Sequence, residues 1–472
     1  MALDFSKDKT PIKEQDPNLR IKNFEEVCLG YSLHEGMLEA TRCINCKTKP
    51  CVSACPVSID IPTFIKQIKE NDLKAAATTI DKYTNLPAVC GRVCPQESQC
   101  EGVCTVGKIK GFQPVAIGKL ERLVADWKYT NKKTSKSENI KNSFKKGNVA
   151  VIGSGPSGLT VAGDLAKLGY KVIVFEALHS AGGVLTYGIP EFRLPQKIVE
   201  TEISAMRKLG VKIECNVLVG KTITMQEIMQ KFDACYISVG AGTPLFQGIK
   251  GTNLNGIYSA SEYLTRINLM HSYKFPLYDT PVKMVKNVAV IGGGNVAMDA
   301  ARCAKRLGAK NVTVFYRRTL DELPARIEEY FHAVEEGIRF SWLTNPIEYS
   351  DNGKGEVASI KCIRMELGTP DESGRRRPIP IKDSEFSLKV DCVIEAIGQG
   401  ANKVLLDTFP ELELNKKGYI KADPKTGATS VQGVYAGGDI VTGAATVILA
   451  MGAGKTAAIA IDEYIKNKKT NK

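Results

Sequence analysis

The chain has 472 residues, 43% of them hydrophobic and 24% charged, a globular composition too long for one core, so about three domains are expected. No apolar run reaches the ~18 residues that cross a bilayer, and Met1 to Thr10 lacks the apolar stretch of a secretory signal, so a cytoplasmic chain with no membrane partner is expected. The net charge of +13 raises nucleic acid as a partner, but the lysines are spread along the chain and no zinc-finger or RNA-recognition pattern occurs, so none is expected.

Residues 1–130 read as helical and rich in cysteine. Phe24 to Ala40 has helical periodicity. Ile61-Pro62 opens a helix with proline in its first turn, and Asn71-Asp72-Leu73 begins another. Pro114 to Tyr129 is amphipathic, with Ile117, Leu120, Leu123 and Val124 on one face. Eight cysteines form two tight groups, Cys43-x2-Cys46-x4-Cys51-x3-Cys55-Pro56 and Cys90-x3-Cys94-Pro95-x4-Cys100-x3-Cys104. In a cytoplasmic chain these are not a disulfide framework. Spacings this short put several thiolates on one side of a tight turn, which is what an iron–sulfur cluster needs. A zinc site would need a second C-x-x-C or histidine pair, and His34 is the only histidine nearby. Cys43-x2-Cys46 lacks the βαβ context of a thioredoxin motif. Cys215, Cys235, Cys303, Cys362 and Cys392 are scattered, and read as buried, inert thiols.

Residues 131–147 are polar and lysine-rich and read as a linker. From Asn148 the pattern becomes strand, glycine turn, helix. Val149 to Ile152 is a strand, and Gly153-Ser154-Gly155-Pro156-Ser157-Gly158 turns it into a helix. There Gly153 makes the turn, Gly155 lets a pyrophosphate approach and Gly158 lets the helix pack. The helix N-terminus then faces the phosphates. The next strand, Lys171 to Phe175, ends at Glu176, whose carboxylate suits the ribose hydroxyls of FAD or NAD. A second unit starts at Val288 to Ile291 and continues Gly292-Gly293-Gly294-Asn295-Val296-Ala297. Its following strand, Asn311 to Tyr316, ends in Arg317-Arg318; guanidinium forks suit a 2′-phosphate, so NADP(H) is expected there. No C-x-x-C follows in this unit as in a thioredoxin reductase. Gly454-Lys455-Thr456 is not a P-loop, because Leu449 stands where its first glycine belongs. The four histidines, His34, His179, His271 and His332, are scattered and none is expected to be catalytic.

The runs TRCINCKTKPCVSACPVSIDIP, LPAVCGRVCPQESQCEGVC and PVAIGKLERLVADW resemble the small (beta) subunit family of glutamate synthase. They resemble still more the large subunit of electron-bifurcating NADH-dependent ferredoxin:NADP oxidoreductases, with dihydropyrimidine dehydrogenase a more distant relative. The resemblance implies two interleaved [4Fe–4S] clusters. Cys43, Cys46, Cys51 and Cys104 would hold the first, and Cys55, Cys94, Cys100 and the Glu121 carboxylate the second, with Cys90 spare. Gly182-Gly183-Val184-Leu185 and GVYAGGDIVTGAATVILAMGAG resemble the FAD segments of glutathione-reductase-like flavoproteins. By that likeness Gly183, Gly438 and Asp439 would contact FAD, and a helix starting near Ala445-Thr446 would aim its positive end at the flavin. YGIPEFRLP resembles the bifurcating family, in which an arginine at the position of Arg193 lies by the flavin and would shift its potentials; a salt bridge with Glu191 is the structural alternative.

The expected fold class is α/β. A helical iron–sulfur domain (1–130) and the linker (131–147) precede a glutathione-reductase-like flavoprotein, whose FAD domain (148–285 and 396–472) is interrupted by an NADP(H) domain (286–395). The expected function is hydride transfer between NADP(H) and FAD with single-electron transfer through both clusters. The expected partner is a small FAD/[2Fe–2S] NAD-binding subunit, with ferredoxin as a further candidate. The alternatives are the electron-input subunit of NADPH-dependent glutamate synthase, with its large subunit as partner, and a non-catalytic relay or assembly subunit.

Overall fold

The computed structural model describes residues 5–131, 146–372 and 374–470, so most of the expected linker lies outside the described residues. Among the described residues of the amino-terminal part the longer helices are α1 (Leu33–Ala40), α2 (Ile61–Lys69), α3 (Leu73–Asp81), α4 (Pro87–Val93) and α5 (Ile117–Thr130), with single turns at Pro17–Arg20 and Pro50–Ser53. The helix expected over Phe24 to Ala40 is shorter than its periodicity suggests. Cys28–Gly30 is a strand paired with Lys13–Glu14, and Ser32 starts α1 by a reciprocal capping box with Glu35. Proline sits in the first turn of α2 and α4, where its missing N–H costs nothing. Asp72 caps α3 through the Ala75 N–H.

Two parallel sheets follow. The first contains β1 (Asn148–Ile152), β2 (Lys171–Phe175), β3 (Lys212–Glu214), β4 (Ala234–Ile237) and a late strand, Val434–Ala436, in the order late strand-β4-β1-β2-β3. It carries α6 (Pro156–Lys167) and α7 (Gln196–Lys208), and the last helix, Val447–Thr470, packs against α6. The second sheet contains β5 (Ile257–Ser259), β6 (Asn287–Ile291), β7 (Asn311–Tyr316), β8 (Arg339–Trp342) and a closing strand, Cys392–Glu395, in the order β8-β7-β6-closing strand-β5. It carries α8 (Ala260–Asn268), α9 (Asn295–Arg306) and α10 (Ile327–Glu335). Between β8 and the closing strand lies an antiparallel ribbon of β9 (Thr344–Asp351), β10 (Val357–Pro370), β11 (Arg376–Pro380) and β12 (Phe386–Lys389). β5, which precedes the second glycine motif in the chain, pairs with the closing strand at the edge of the second sheet.

In both sheets the glycine-motif strand lies between its successor and a later strand, the switch point where open parallel sheets bind ligands beyond the strand ends. The amino-terminal helices and the first sheet share one apolar core, to which α5 gives Leu120 and Val124 and α6 gives Leu159 and Leu165. The second sheet has its own core, joined from outside by only Val27 and Phe192 among its buried members.

Candidate functional site

Cys43, Cys46, Cys51 and Cys104 line one apolar cavity, walled by Ile44, Ile61, Ile65, Val106 and Ile117. The turn that gathers them places Asn45 and Lys49 in the left-handed region. Burial pushes the Cys51 thiol up to about 12, and the neighbouring sulfurs of Cys43, Cys46 and Cys104 add to it. The Thr105 hydroxyl donates to Cys46 Sγ at 3.4 Å. Among the described residues no three Cys, His, Asp or Glu groups close around a single metal ion. Cubane thiolates each bind a different iron, so they form a wider cage than the ligands of one ion.

Cys55, Cys94, Cys100 and Glu121 form the second set. Burial pushes Cys55 up to about 11, with Glu121 and Cys90 adding like charge against part-compensating backbone N–H groups. Burial, then Glu101, Glu121 and Cys55, hold Cys100 far above its ordinary value. A hydrogen bond from Cys90 favours the Cys94 thiolate, but burial and the charges of Glu121, Cys100 and Cys55 outweigh it. Glu121 is only 7% exposed, its Oε1 has no hydrogen-bond partner, and burial, then Glu202, raises it to about 8. An orphaned carboxylate oxygen beside three buried thiols fits a cluster ligand and does not fit an exposed helix carboxylate. Cys90 is buried against Met451 Sδ at 3.7 Å and Thr84 Oγ1 at 3.9 Å. Cys235, Cys303, Cys362 and Cys392 are buried and Cys215 is half-buried.

At the first glycine turn, Gly153 has φ +98°, and a Cβ there would lie 2.5 Å from the Ser238 carbonyl oxygen. A Cβ at Gly158 would collide with the Gly153 carbonyl, whereas one at Gly155 would meet nothing, so Gly155 faces open space. Gly183, at φ +56°, packs on the Gly155 backbone and closes one side of that space. Gly438 packs on Ser157 at the start of α6 and closes another. Glu176 Oε2 accepts from Ser154 N (2.9 Å) and Oγ (2.5 Å), and Oε1 accepts from Leu178 N (2.9 Å), which fixes the carboxylate at the strand end. Burial raises Asp439 to about 6 despite the Ala445 N–H it accepts. The Thr446 hydroxyl accepts Leu449 N–H at 3.4 Å at the start of the last helix. Burial, then the charges of Asp439 and Glu176, push Tyr187 up to about 12. Spacing alone gave Tyr187 no role; its place in YGIPEFRLP was the available signal. This enclosed, glycine-walled cradle fits a dinucleotide.

The second turn repeats the design. A Cβ at Gly292 would collide with the Ala396 carbonyl, Gly294 opens onto space, and Ala297, in the first turn of α9, is fully buried. Asn295 Oδ1 accepts the Arg326 N–H at 2.9 Å. The two arginines after β7 differ. Arg318 is buried, with Nη2 2.6 Å from Asp371 Oδ2 and Nε donating to the Arg376 carbonyl at 2.7 Å. Arg317 is exposed and has no hydrogen bond or ion pair among the described residues. Burial, then Arg318 and later Arg375, disfavour its charge, so an anion would relieve it. Arg317 is thus the exposed member of the expected pair, and Arg318 pins the ribbon that brings Arg375 near.

Arg193 does not pair with Glu191, whose carboxylate accepts from Gln196 N instead. Its Nη1 donates to Asp299 at 2.7 and 2.9 Å, and its Nε stands 2.9 Å from Glu329 Oε1, too oblique for a hydrogen bond. Asp299 lies on α9 and Glu329 on α10, so Arg193 ties the first unit to the second.

A helical thiol-rich domain joined to two parallel dinucleotide-type sheets defines a flavoprotein-like oxidoreductase architecture. Residues 20–133 match the family model for dihydropyrimidine dehydrogenase domain II, 4Fe-4S cluster, and residues 129–461 match that for pyridine nucleotide-disulphide oxidoreductase. The chain is 34% identical over 467 residues to the small chain of glutamate synthase [NADPH] from Halomonas elongata, covering 96% of this chain and 97% of that protein. It is 40% identical over 447 residues to the beta subunit of NADP(+)-dependent formate dehydrogenase from Moorella thermoacetica, spanning 90% of this chain but 61% of that protein. Its fold matches Mycobacterium tuberculosis FprA in complex with NADPH, with a TM-score of 0.58 at 19% identity over 69% of this chain and 86% of that one. The chain belongs to the glutamate synthase small-chain family, an iron–sulfur domain fused to a pyridine nucleotide-disulphide oxidoreductase, whose members are NAD(P)H-dependent flavin iron–sulfur oxidoreductases. No helix among the described residues is long and apolar enough to cross a membrane.

Proposed function

We propose that the chain is the NADP(H)-linked subunit of a multisubunit oxidoreductase and, more finely, the large subunit of an electron-bifurcating NADH-dependent ferredoxin:NADP oxidoreductase. The observation that carries the NADP(H) reading is Arg317, an unpaired guanidinium at the end of β7 beside an open Gly294 turn. FAD and two [4Fe–4S] clusters, when bound, convert hydride chemistry into one-electron chemistry. The residues of the chain hold and orient. Gly153, Gly155 and Gly183 leave room for a pyrophosphate, Glu176 meets a ribose, and Asp439 and Thr446 flank the start of the last helix. The two cysteine sets, with Glu121, would hold the clusters, and Ile44, Ile61, Ile65, Val106 and Ile117 would shield the first from water. The bifurcating assignment rests on YGIPEFRLP and its likeness to that family.

Coverage of nearly the whole of a glutamate synthase small chain favours a second reading, the electron-input subunit of that enzyme. Purification of the native complex separates the two. A smaller partner with flavin and a [2Fe–2S] cluster, and ferredoxin reduction by NADPH that requires NAD+, support the first. A much larger amidotransferase partner would overturn it in favour of the second. NADPH-dependent dye reduction by the chain alone is expected on either reading, and its absence would leave the non-catalytic relay.

A further inference from the structure

Arg326 begins α10, and both of its ends are engaged. Its backbone N–H donates to Asn295 Oδ1 at 2.9 Å, inside the second glycine turn. Its guanidinium is 6% exposed and crosses to the amino-terminal domain. There Nε meets Glu97 Oε1 at 3.0 Å, Nη2 donates to Gln96 Oε1 at 3.0 Å, and Nη1 donates to the Arg92 carbonyl at 3.3 Å. Nη2 also meets Glu328 Oε2 at 2.8 Å. Gln96 and Glu97 lie in the loop between Cys94 and Cys100, and Gln96 Nε2 donates in turn to the Cys90 carbonyl at 3.3 Å. One buried side chain therefore joins the nucleotide turn to the loop of the second thiol set, with no intervening residue.

We propose that Arg326 is a positioning residue that couples occupancy of the second dinucleotide site to the redox state of the cluster held by Cys55, Cys94, Cys100 and Glu121. The inference rests on the NADP(H) and cluster readings above. A phosphate entering the Gly294-Asn295 turn is an acceptor that competes with Asn295 Oδ1 for the Arg326 N–H. The guanidinium is a rigid fork whose donors are all directed at fixed acceptors, so it cannot shift without moving Gln96 and Glu97. An added electron on the cluster acts on the same loop from the other side. Coupling between two sites is reciprocal, so each ligand state must change the other by the same factor.

The test uses the intact, cluster-loaded protein and adenosine 2′,5′-bisphosphate, which carries the 2′-phosphate and the adenosine-side 5′-phosphate of NADP(H) but has no nicotinamide to exchange hydride. Electron paramagnetic resonance follows the cluster potential with and without the probe, and calorimetry gives probe affinity in oxidised and reduced protein. In the wild type we expect at least a ~5-fold difference in affinity between the two states and a matching shift of the cluster midpoint. Arg326→Met should reduce both to less than ~2-fold. Glu97→Gln removes the charge from the more exposed end of the link while the Gln96 contact stays, and should weaken both, which keeps the proposal testable if Arg326→Met folds poorly. No coupling in the wild type, or full coupling in Glu97→Gln, would overturn the proposal. Probe binding by the wild type that survives unchanged in Arg317→Ala would instead defeat the NADP(H) reading of the site, which the coupling result does not address.

Discussion

Replacing Arg193 with methionine separates two accounts of this residue. As a flavin-tuning charge it would alter potentials; as a tie between the two units it would alter stability. The guanidinium faces two buried carboxylates, Asp299 at 4% and Glu329 at 7% side-chain exposure. Glu329 keeps a second partner in Arg302, and Arg302 and Arg306 both hold Glu336. Asp299 has no other ion pair, so the loss falls there. Removing one member of a buried pair costs about 3–5 kcal/mol, because the remaining charge is left desolvated. Burial already holds Asp299 at about 6, from an ordinary 3.8, even with Arg193 opposing it. A folded-state value above the unfolded one means that the native state binds more protons, so stability falls as pH rises through that interval. Without Arg193 the folded value climbs further and the interval extends above pH 6. The destabilisation should thus approach its full size near pH 8 and shrink towards pH 5.

Urea unfolding in a Trp127→Phe background reads this, since Trp342 on β8 then reports the second sheet alone. Arg193→Met with Asp299→Asn should cost at least about 1.5 kcal/mol less than the sum of the two single variants. A loss below about 1 kcal/mol at pH 8, together with a shifted flavin potential, would refute the tie and restore the tuning role.

Arg317→Ala should weaken NADPH binding about 10- to 100-fold, the loss of one charge-assisted contact, and leave NADH unchanged in a calorimetric titration. Gly158→Val should abolish FAD retention, measured as flavin per chain after purification, because its side chain would collide with the Gly153 carbonyl and displace the turn. Glu121→Ala should alter the paramagnetic signal and iron content of one cluster only, whereas Cys90→Ala should leave both unchanged; unchanged spectra in Glu121→Ala would sink the carboxylate assignment.

Local geometry was legible in the sequence because it is written in neighbouring residues. The strand ends at Ile152, Phe175, Ile291 and Tyr316 fall where alternating apolar runs meet glycine or charge, and the glycine turns follow directly. The two thiol sets could be sorted by family likeness, since interleaving Cys104 with Cys43 depends on a return of the chain that spacing cannot express. Arg318 could not be told from Arg317, for they are adjacent and chemically identical. Only the ribbon of β10 and β11, folded back from residues 371–376, selects which of them it buries. The partners that Arg193 and Arg326 find in another part of the fold, Asp299 and Glu97, were illegible for the same reason: each lies more than a hundred residues away, and a buried ion pair leaves no periodic trace.

The two joints of the molecule differ in kind. The amino-terminal helices meet the first sheet through a shared apolar core, reinforced where Glu202 on α7 accepts the Ala88 N–H at 2.7 Å and the Tyr129 hydroxyl at 3.0 Å. The second sheet meets both neighbours mainly through charge: Arg193 to Asp299 and Glu329, Arg20 to Glu336, Arg326 to Glu97, and Lys119 to Glu328. Phe192 enters that joint against the guanidinium groups of Arg302 and Arg306, whose central carbons lie 4.6 and 3.9 Å from its ring centre. Apolar contacts tolerate small slips, whereas directed ion pairs either form or break. The first joint therefore fixes the glycine turn of the first sheet relative to the two thiol sets, and the second holds the second sheet in place through directed ion pairs.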